Sequence, residues 1–163
     1  MIYGANGYTG ELTARRAKLQ GMKPILAGRN EKSIQALADE LDLPFRCFSL
    51  EDDHLVECIK DVSVVVHSAG PFSKTAKPMM EACIKAKTHY LDITGEISVF
   101  EASQKLSHQA REAKIVICPG VGFDVIPTDC VAAQLKLKMP DAIYLRMGFD
   151  SNGSFSRGTA KTS

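Results

Sequence analysis

Met1-Ile2-Tyr3-Gly4-Ala5-Asn6-Gly7-Tyr8-Thr9-Gly10 decides how the rest of this chain is read. An apolar stub with β-branched and aromatic residues runs into glycines at positions 4, 7 and 10, and an amphipathic segment follows. Glycines at that spacing let a strand turn sharply into a helix. They also let the backbone approach a ligand that a side chain would keep away. The first turn of the helix then offers free N–H groups and the positive end of its dipole, which suit a diphosphate. Between a strand and a helix, this spacing is the pyrophosphate loop of a dinucleotide-binding βαβ unit.

The remaining sequence repeats the strand–helix alternation. Pro24 to Ala27, Phe45 to Leu50, Val62 to His67, Tyr90 to Ile93 and Ile115 to Cys118 are expected strands. The valine run at 62–66 suits a strand covered on both faces. Between them lie expected helices. Glu11 to Gln20 has Leu12 and Leu19 turned inward. Ile34, Leu37, Ala38 and Leu41 mark a second helix, capped by Asn30. A short helix runs through Leu55, Val56 and Ile59, and Pro78 opens another at its first turn. Val99, Ala102, Leu106, Ala110 and Ala113 share one face of a longer helix, and Pro127 to Lys136 form the last. Such alternation implies an α/β fold of Rossmann type, a doubly wound and mainly parallel sheet. Residues 1–138 are expected to form this domain. Ala142 to Phe149 alternates like an antiparallel strand of a different sheet, so 139–163 are expected to open a second, truncated domain.

Composition narrows the function classes. The chain has 163 residues, 45% hydrophobic and 24% charged, with a formal net charge of +1. That balance gives no electrostatic reason to expect nucleic acid or an anionic membrane. The apolar runs are too short for a membrane span, and no signal-like segment precedes the first strand, so a cytoplasmic location is expected. Five scattered cysteines without metal-ligand spacing predict neither a zinc site nor a disulfide framework, and most are expected to be buried thiols.

The end of the second strand points to the nucleotide. An acid there would accept hydrogen bonds from a ribose 2′-hydroxyl and select NAD. The sequence instead reads Ala27-Gly28-Arg29-Asn30, and Arg29 brings a permanent cation and a planar donor fork suited to a 2′-phosphate. NADP is therefore expected in preference to NAD. The cofactor-binding set is Gly4, Asn6, Gly7, Tyr8, Thr9, Gly10, Arg29, Asn30 and the turn Ser68-Ala69-Gly70-Pro71-Phe72, which follows the fourth strand across the crevice. Candidate catalytic groups come from the next two strand ends. Tyr90 and Asp92 share a strand face as proton donor or orienting group. Asp124, after the sixth strand, could meet a substrate or a water. His67 and His89 read as packed neutral imidazoles. No tyrosine has a lysine four residues later, so the proton relay of short-chain dehydrogenases is missing.

Five separated motifs occur in order: the glycine loop, Leu26-Ala27-Gly28-Arg29-Asn30, Ala69-Gly70-Pro71-Phe72, Thr88 to Glu96, and Gly122-Phe123-Asp124-Val125-Ile126-Pro127-Thr128-Asp129. Together they resemble the N-terminal half of saccharopine dehydrogenase-like oxidoreductases, including the trans-acting enoyl reductase branch. The resemblance implies a nicotinamide-binding Rossmann domain, hydride exchange with an imine, carbonyl or enoyl substrate, and a following α/β substrate domain, begun by 139–163, through which a homodimer forms. It carries a cofactor role to the glycine loop and the 69–72 turn, and a substrate-side role to Asp124. Two other readings stay open: a non-enzymatic NADP-binding sensor or scaffold, and a fold that has lost its ligand.

Overall fold

The structure is a computed structural model that describes residues 1–148. Six strands alternate with seven helices along the described chain: β1 (Ile2–Tyr3), α1 (Tyr8–Leu19), β2 (Leu26–Gly28), α2 (Glu31–Leu41), β3 (Phe45–Cys47), α3 (Leu55–Ile59), β4 (Val64–His67), α4 (Phe72–Ala86), β5 (His89–Asp92), α5 (Ile97–Lys105), α6 (Ser107–Ala113), β6 (Ile117–Cys118) and α7 (Ile126–Lys138). The strands form one sheet in the order β3-β2-β1-β4-β5-β6. Every pairing is parallel, with Ile2 opposite both Leu26 and Val66. The chain therefore leaves β1 toward one edge and returns beside it at β4. The loops after β1 and β4 diverge there, opening the crevice where doubly wound sheets hold their ligands.

Side-chain alternation divides the core between the two faces of the sheet. Ile2 and Leu26 join Ala14, Ile34, Leu37 and Ala38 under α1 and α2. Tyr3, Val65 and Tyr90 join Met79, Met80, Cys83, Val99 and Leu106 on the opposite face. The strands are short, but buried loop residues beside some of them, such as Ala5 after β1 and Phe48 after β3, extend these clusters. Among the described residues, no helix is long and apolar enough to cross a membrane.

Several sequence expectations need correction. The first helix begins at Tyr8, immediately after Gly7, and its inward residues are Gly10, Ala14 and Ala17. Leu12 and Leu19 are 51% and 80% exposed. The helix lies so close to the sheet that only small residues fit between them, and the leucines are turned outward. Pro78 lies inside α4 instead of opening it. Lacking an N–H, it leaves the Lys74 carbonyl without its helical partner; the helix starts at Phe72, where the Glu96 carboxylate accepts from the first N–H groups. The long helix expected through 99–113 breaks at Leu106, whose φ of −88° and ψ of −1° end α5 and begin α6, while the shared apolar face of Val99, Leu106 and Ala110 is buried as expected. Residues 142–148 form no strand, having no neighbouring strand to pair with among the described residues; Phe149 lies outside them. All five cysteines are free, but Cys83 alone is buried, and that burial pushes its thiol up to about 12.

Candidate functional site

The glycine loop sits at the carboxyl end of β1. Gly4 leaves the strand with φ +82°, and its N–H donates to the Ala27 carbonyl at 2.7 Å. Gly7 N–H then closes the turn on the Gly4 carbonyl at 3.0 Å. A side chain at Gly10 would put its Cβ 2.2 Å from the Gly4 carbonyl oxygen, and one at Gly4 would lie 2.9 Å from the Ala69 backbone nitrogen. Loop, helix and the turn after β4 are thus in backbone contact. No side chain caps α1. Among the described residues, no protein acceptor meets the N–H groups of Tyr8, Thr9 and Gly10. Three donors therefore face the crevice at the positive end of a 12-residue helix. That donor set fits a diphosphate without rearrangement.

The end of β2 supplies the neighbouring wall. Arg29 and Asn30 are exposed there, and no carboxylate occupies the strand end. Asn30 caps α2, its Oδ1 accepting from Ser33 N–H at 3.1 Å. Asn6 Oδ1 lies 3.2 Å from where a Cβ on Gly28 would stand, which ties the glycine loop to the β2 end. An open depression of about 350 Å³ lined by Leu12, Thr13, Arg16, Ala17, Gln20 and Met22 lies on the flank of α1, away from this edge, and holds none of these donors.

Across the crevice, β4 ends at His67 and the chain turns through Ser68-Ala69-Gly70-Pro71 into α4. Ser68 N–H donates to the Tyr3 carbonyl at 2.8 Å, while its hydroxyl is buried and has no partner. The Gly70–Pro71 peptide is cis. Thr75 Oγ1 lies 2.7 Å from the Ala69 carbonyl and 3.1 Å from that of Pro71, so its one proton is used there. His67 Nε2, 3.0 Å away, must be the donor in that pair, leaving Nδ1 as a bare lone pair with no partner. The ring is fully buried, stacked 5.4 Å from Tyr3 at 11°, and burial holds its pKa down to about 4. His67 is a neutral packing residue, as expected from sequence.

Tyr90 and Asp92 were expected as catalytic groups, and the structure gives them other partners. Both are fully buried. Tyr90 OH donates to Asp92 Oδ2 at 2.7 Å, and Asp92 Oδ1 accepts from Thr94 N–H and Gly120 N–H, each at 2.9 Å. The Asp92 carbonyl also accepts from Val121 N–H at 2.8 Å. Burial, then the adjacent carboxylate, drives the Tyr90 phenol far above its ordinary value. The pair ties the loop after β5 to the loop after β6, and neither residue has a polar atom left for a substrate. Asp124 differs. It is exposed, and its carboxylate lies over Gly95 and Gly122, with Oδ2 3.7 Å from where a Gly95 Cβ would stand. Of the three candidates it alone presents a group at the open edge.

Sequence reasoning missed the second function of Glu96. Its backbone opens α5, but its carboxylate reaches α4, where Oε1 accepts from Phe72 N–H at 2.8 Å and Oε2 from Ser73 N–H at 2.9 Å. This contact, 24 residues back along the chain, fixes the start of α4. No local pattern signals it.

Comparison with known proteins agrees with this geometry. Residues 1–118 match the family described as saccharopine dehydrogenase NADP binding domain. The trans-acting enoyl reductase of Mycobacterium ulcerans is 32% identical over 138 residues, which is 79% of this chain and 33% of that protein. Its counterpart in Mycobacterium tuberculosis is 32% identical over 144 residues, 83% of this chain and 34% of that protein. The chain thus spans about a third of the length of the curated relatives it matches. Among solved structures, apo saccharopine dehydrogenase (L-Glu forming) from Saccharomyces cerevisiae superposes with a TM-score of 0.73 at 18% identity, over 86% of this chain and 31% of that one. GenD2 from gentamicin A biosynthesis, in complex with NAD, gives 0.58 at 20% identity, over 85% and 38%. At these identities the structures establish the fold alone.

Proposed function

This chain belongs to the saccharopine dehydrogenase NADP-binding domain family, and from that premise we propose that it is the cofactor-holding part of an NADP-dependent oxidoreductase. The uncapped start of α1, closed against Gly4 and Gly10, carries the proposal. The N–H groups of Tyr8, Thr9 and Gly10 hold the diphosphate, with Gly4 and Gly7 shaping the loop and Asn6 bracing it. Arg29 and Asn30 face the 2′-phosphate, and Ser68 to Phe72 wall the nicotinamide end. When bound, NADPH supplies a hydride, and the protein supplies orientation and shelter from water. Asp124 stands on the substrate side, where it orients a polar group or holds a water. Tyr90 and Asp92 position the two loops that frame it.

Among imine, carbonyl and enoyl acceptors, the name of the mycobacterial relatives supports the enoyl class. The apolar residues of α7 and its continuation, Val131, Leu135, Leu137 and Met139, are exposed and support a second domain packing there. One observation favours a rival. With Tyr90 and Asp92 buried and bonded to each other, Asp124 alone of the three candidate groups stays exposed, and so sparse a set also suits an NADP-binding sensor. Calorimetric titration of the Arg29→Ala variant tests the cofactor assignment. NADPH affinity should fall about tenfold, equivalent to about 1.4 kcal/mol, while NADH affinity stays unchanged; equal losses refute the 2′-phosphate role. NADPH oxidation by an enoyl thioester then separates the enzyme from the sensor, which binds without turnover.

A further inference from the structure

We propose that Glu96 is a positioning residue of the nicotinamide end of the crevice, holding the 69–72 turn in place from the loop after β5. The role rests on the cofactor reading above. Its basis is the pair of hydrogen bonds from Phe72 and Ser73 N–H to the two oxygens of one carboxylate, at 2.8 and 2.9 Å. These are two of the donors that open α4, a 15-residue helix that no side chain of its own N-cap satisfies. A carboxylate there gains two charge-assisted hydrogen bonds and a favourable position on the helix dipole.

Glu96 is itself held. Its N–H donates to Thr94 Oγ1 at 3.0 Å, and Thr94 N–H donates to buried Asp92, which also takes the N–H of Gly120. One continuous chain of hydrogen bonds therefore runs from the loop after β6, through β5, to the N-terminus of α4. The turn it fixes is the one whose Ala69 backbone lies against Gly4. Glu96 has a chemical consequence as well. The start of α4 already carries an anion of the protein's own, while the start of α1 carries none, so of these two helix ends it is α1 that stays open to the diphosphate. Without the carboxylate, Phe72 and Ser73 N–H lose their acceptor and the turn loses its anchor on the side facing the substrate loops.

The test compares two ligands in the full chain. Adenosine 2′,5′-bisphosphate reaches the glycine loop and the Arg29 wall, whereas NADPH extends to the 69–72 turn. In Glu96→Ala, NADPH should bind about tenfold more weakly and the bisphosphate within twofold of wild type. Glu96→Gln should fall between, because its amide oxygen can accept from one N–H while its NH₂ opposes the other. Without any ligand, the Phe72 and Ser73 amides should exchange faster with deuterium in Glu96→Ala than in wild type. Equal weakening of both ligands, or none, overturns the positioning role while leaving the cofactor site standing. Failure of wild type to bind either ligand refutes the cofactor site, and this role with it. If a thermal melt shows Glu96→Ala unfolded, the ligand ratio of Glu96→Gln decides.

Discussion

Acidifying the protein from pH 7 to pH 5 should cost it about 2 kcal/mol through a single side chain, His67. In the folded chain its ring is fully buried, its one N–H bonded to Thr75 and its other nitrogen facing no donor or carboxylate. Burial lowers its pKa from 6.5 to about 4. The unfolded chain takes up the proton near 6.5, and the folded chain resists until near 4. The stabilisation from keeping this ring neutral is fully present above 6.5 and drains away as the pH falls through that window. At about 1.36 kcal/mol per pH unit the whole displacement is worth about 3 kcal/mol, and about 2 of these are lost by pH 5. Urea unfolding of wild type and His67→Gln across pH 7.5 to 4.5 would measure it. The variant keeps a polar group for Thr75 but cannot titrate, and the other three histidines are common to both proteins. Wild type should start more stable, and the gap should narrow by about 2 kcal/mol between pH 7 and 5. Parallel stability curves over that range would refute the reasoning.

Other perturbations test other joints of the structure. Gly10→Ala places a methyl 2.2 Å from the Gly4 carbonyl oxygen; thermal melts should show a loss of at least about 2 kcal/mol, and NADPH should no longer raise the melting temperature. Tyr90→Phe removes the phenol proton from Asp92 Oδ2 and should destabilise by about 1–3 kcal/mol in urea unfolding, with NADPH affinity unchanged. On α1, Leu19→Ser should change stability by less than about 0.5 kcal/mol, whereas Ala14→Leu, on the buried face, should cost about 1–3 kcal/mol; the opposite ranking would return the leucines to the core.

Features encoded over a few neighbouring residues were legible in the sequence. The glycine loop, the Asn30 cap and the missing acid beside Arg29 are local signals that stand where they are expected, and the valine strand is present but begins two residues late, at Val64. The errors share a different origin. Leu12 and Leu19 were placed inward because apolar spacing normally marks the buried face, but the distance between α1 and the sheet is set by Gly10 meeting Gly4, and periodicity carries no information about that distance. Pro78 resembled a helix start because α4 has no opening signal of its own; its real start depends on a carboxylate supplied by Glu96. Tyr90 and Asp92 were grouped correctly on one strand face. Which face of the sheet they occupy depends on packing by α4 to α6, so their burial and their bond to each other are not legible in spacing. Asp124 kept its candidacy because its loop extends beyond the sheet edge, where chain order alone predicts exposure.

The seam between α1 and the sheet is built from Gly10, Ala14 and Ala17, residues with no rotatable side-chain torsion. Docking this helix therefore freezes no rotamers. The clearance there is a backbone dimension, with no flexible group to absorb an error. Mutational drift should be tolerated almost freely on the outward half of the helix and hardly at all along this three-residue line. The curvature of the diphosphate loop is thereby insulated from substitutions a few ångströms away.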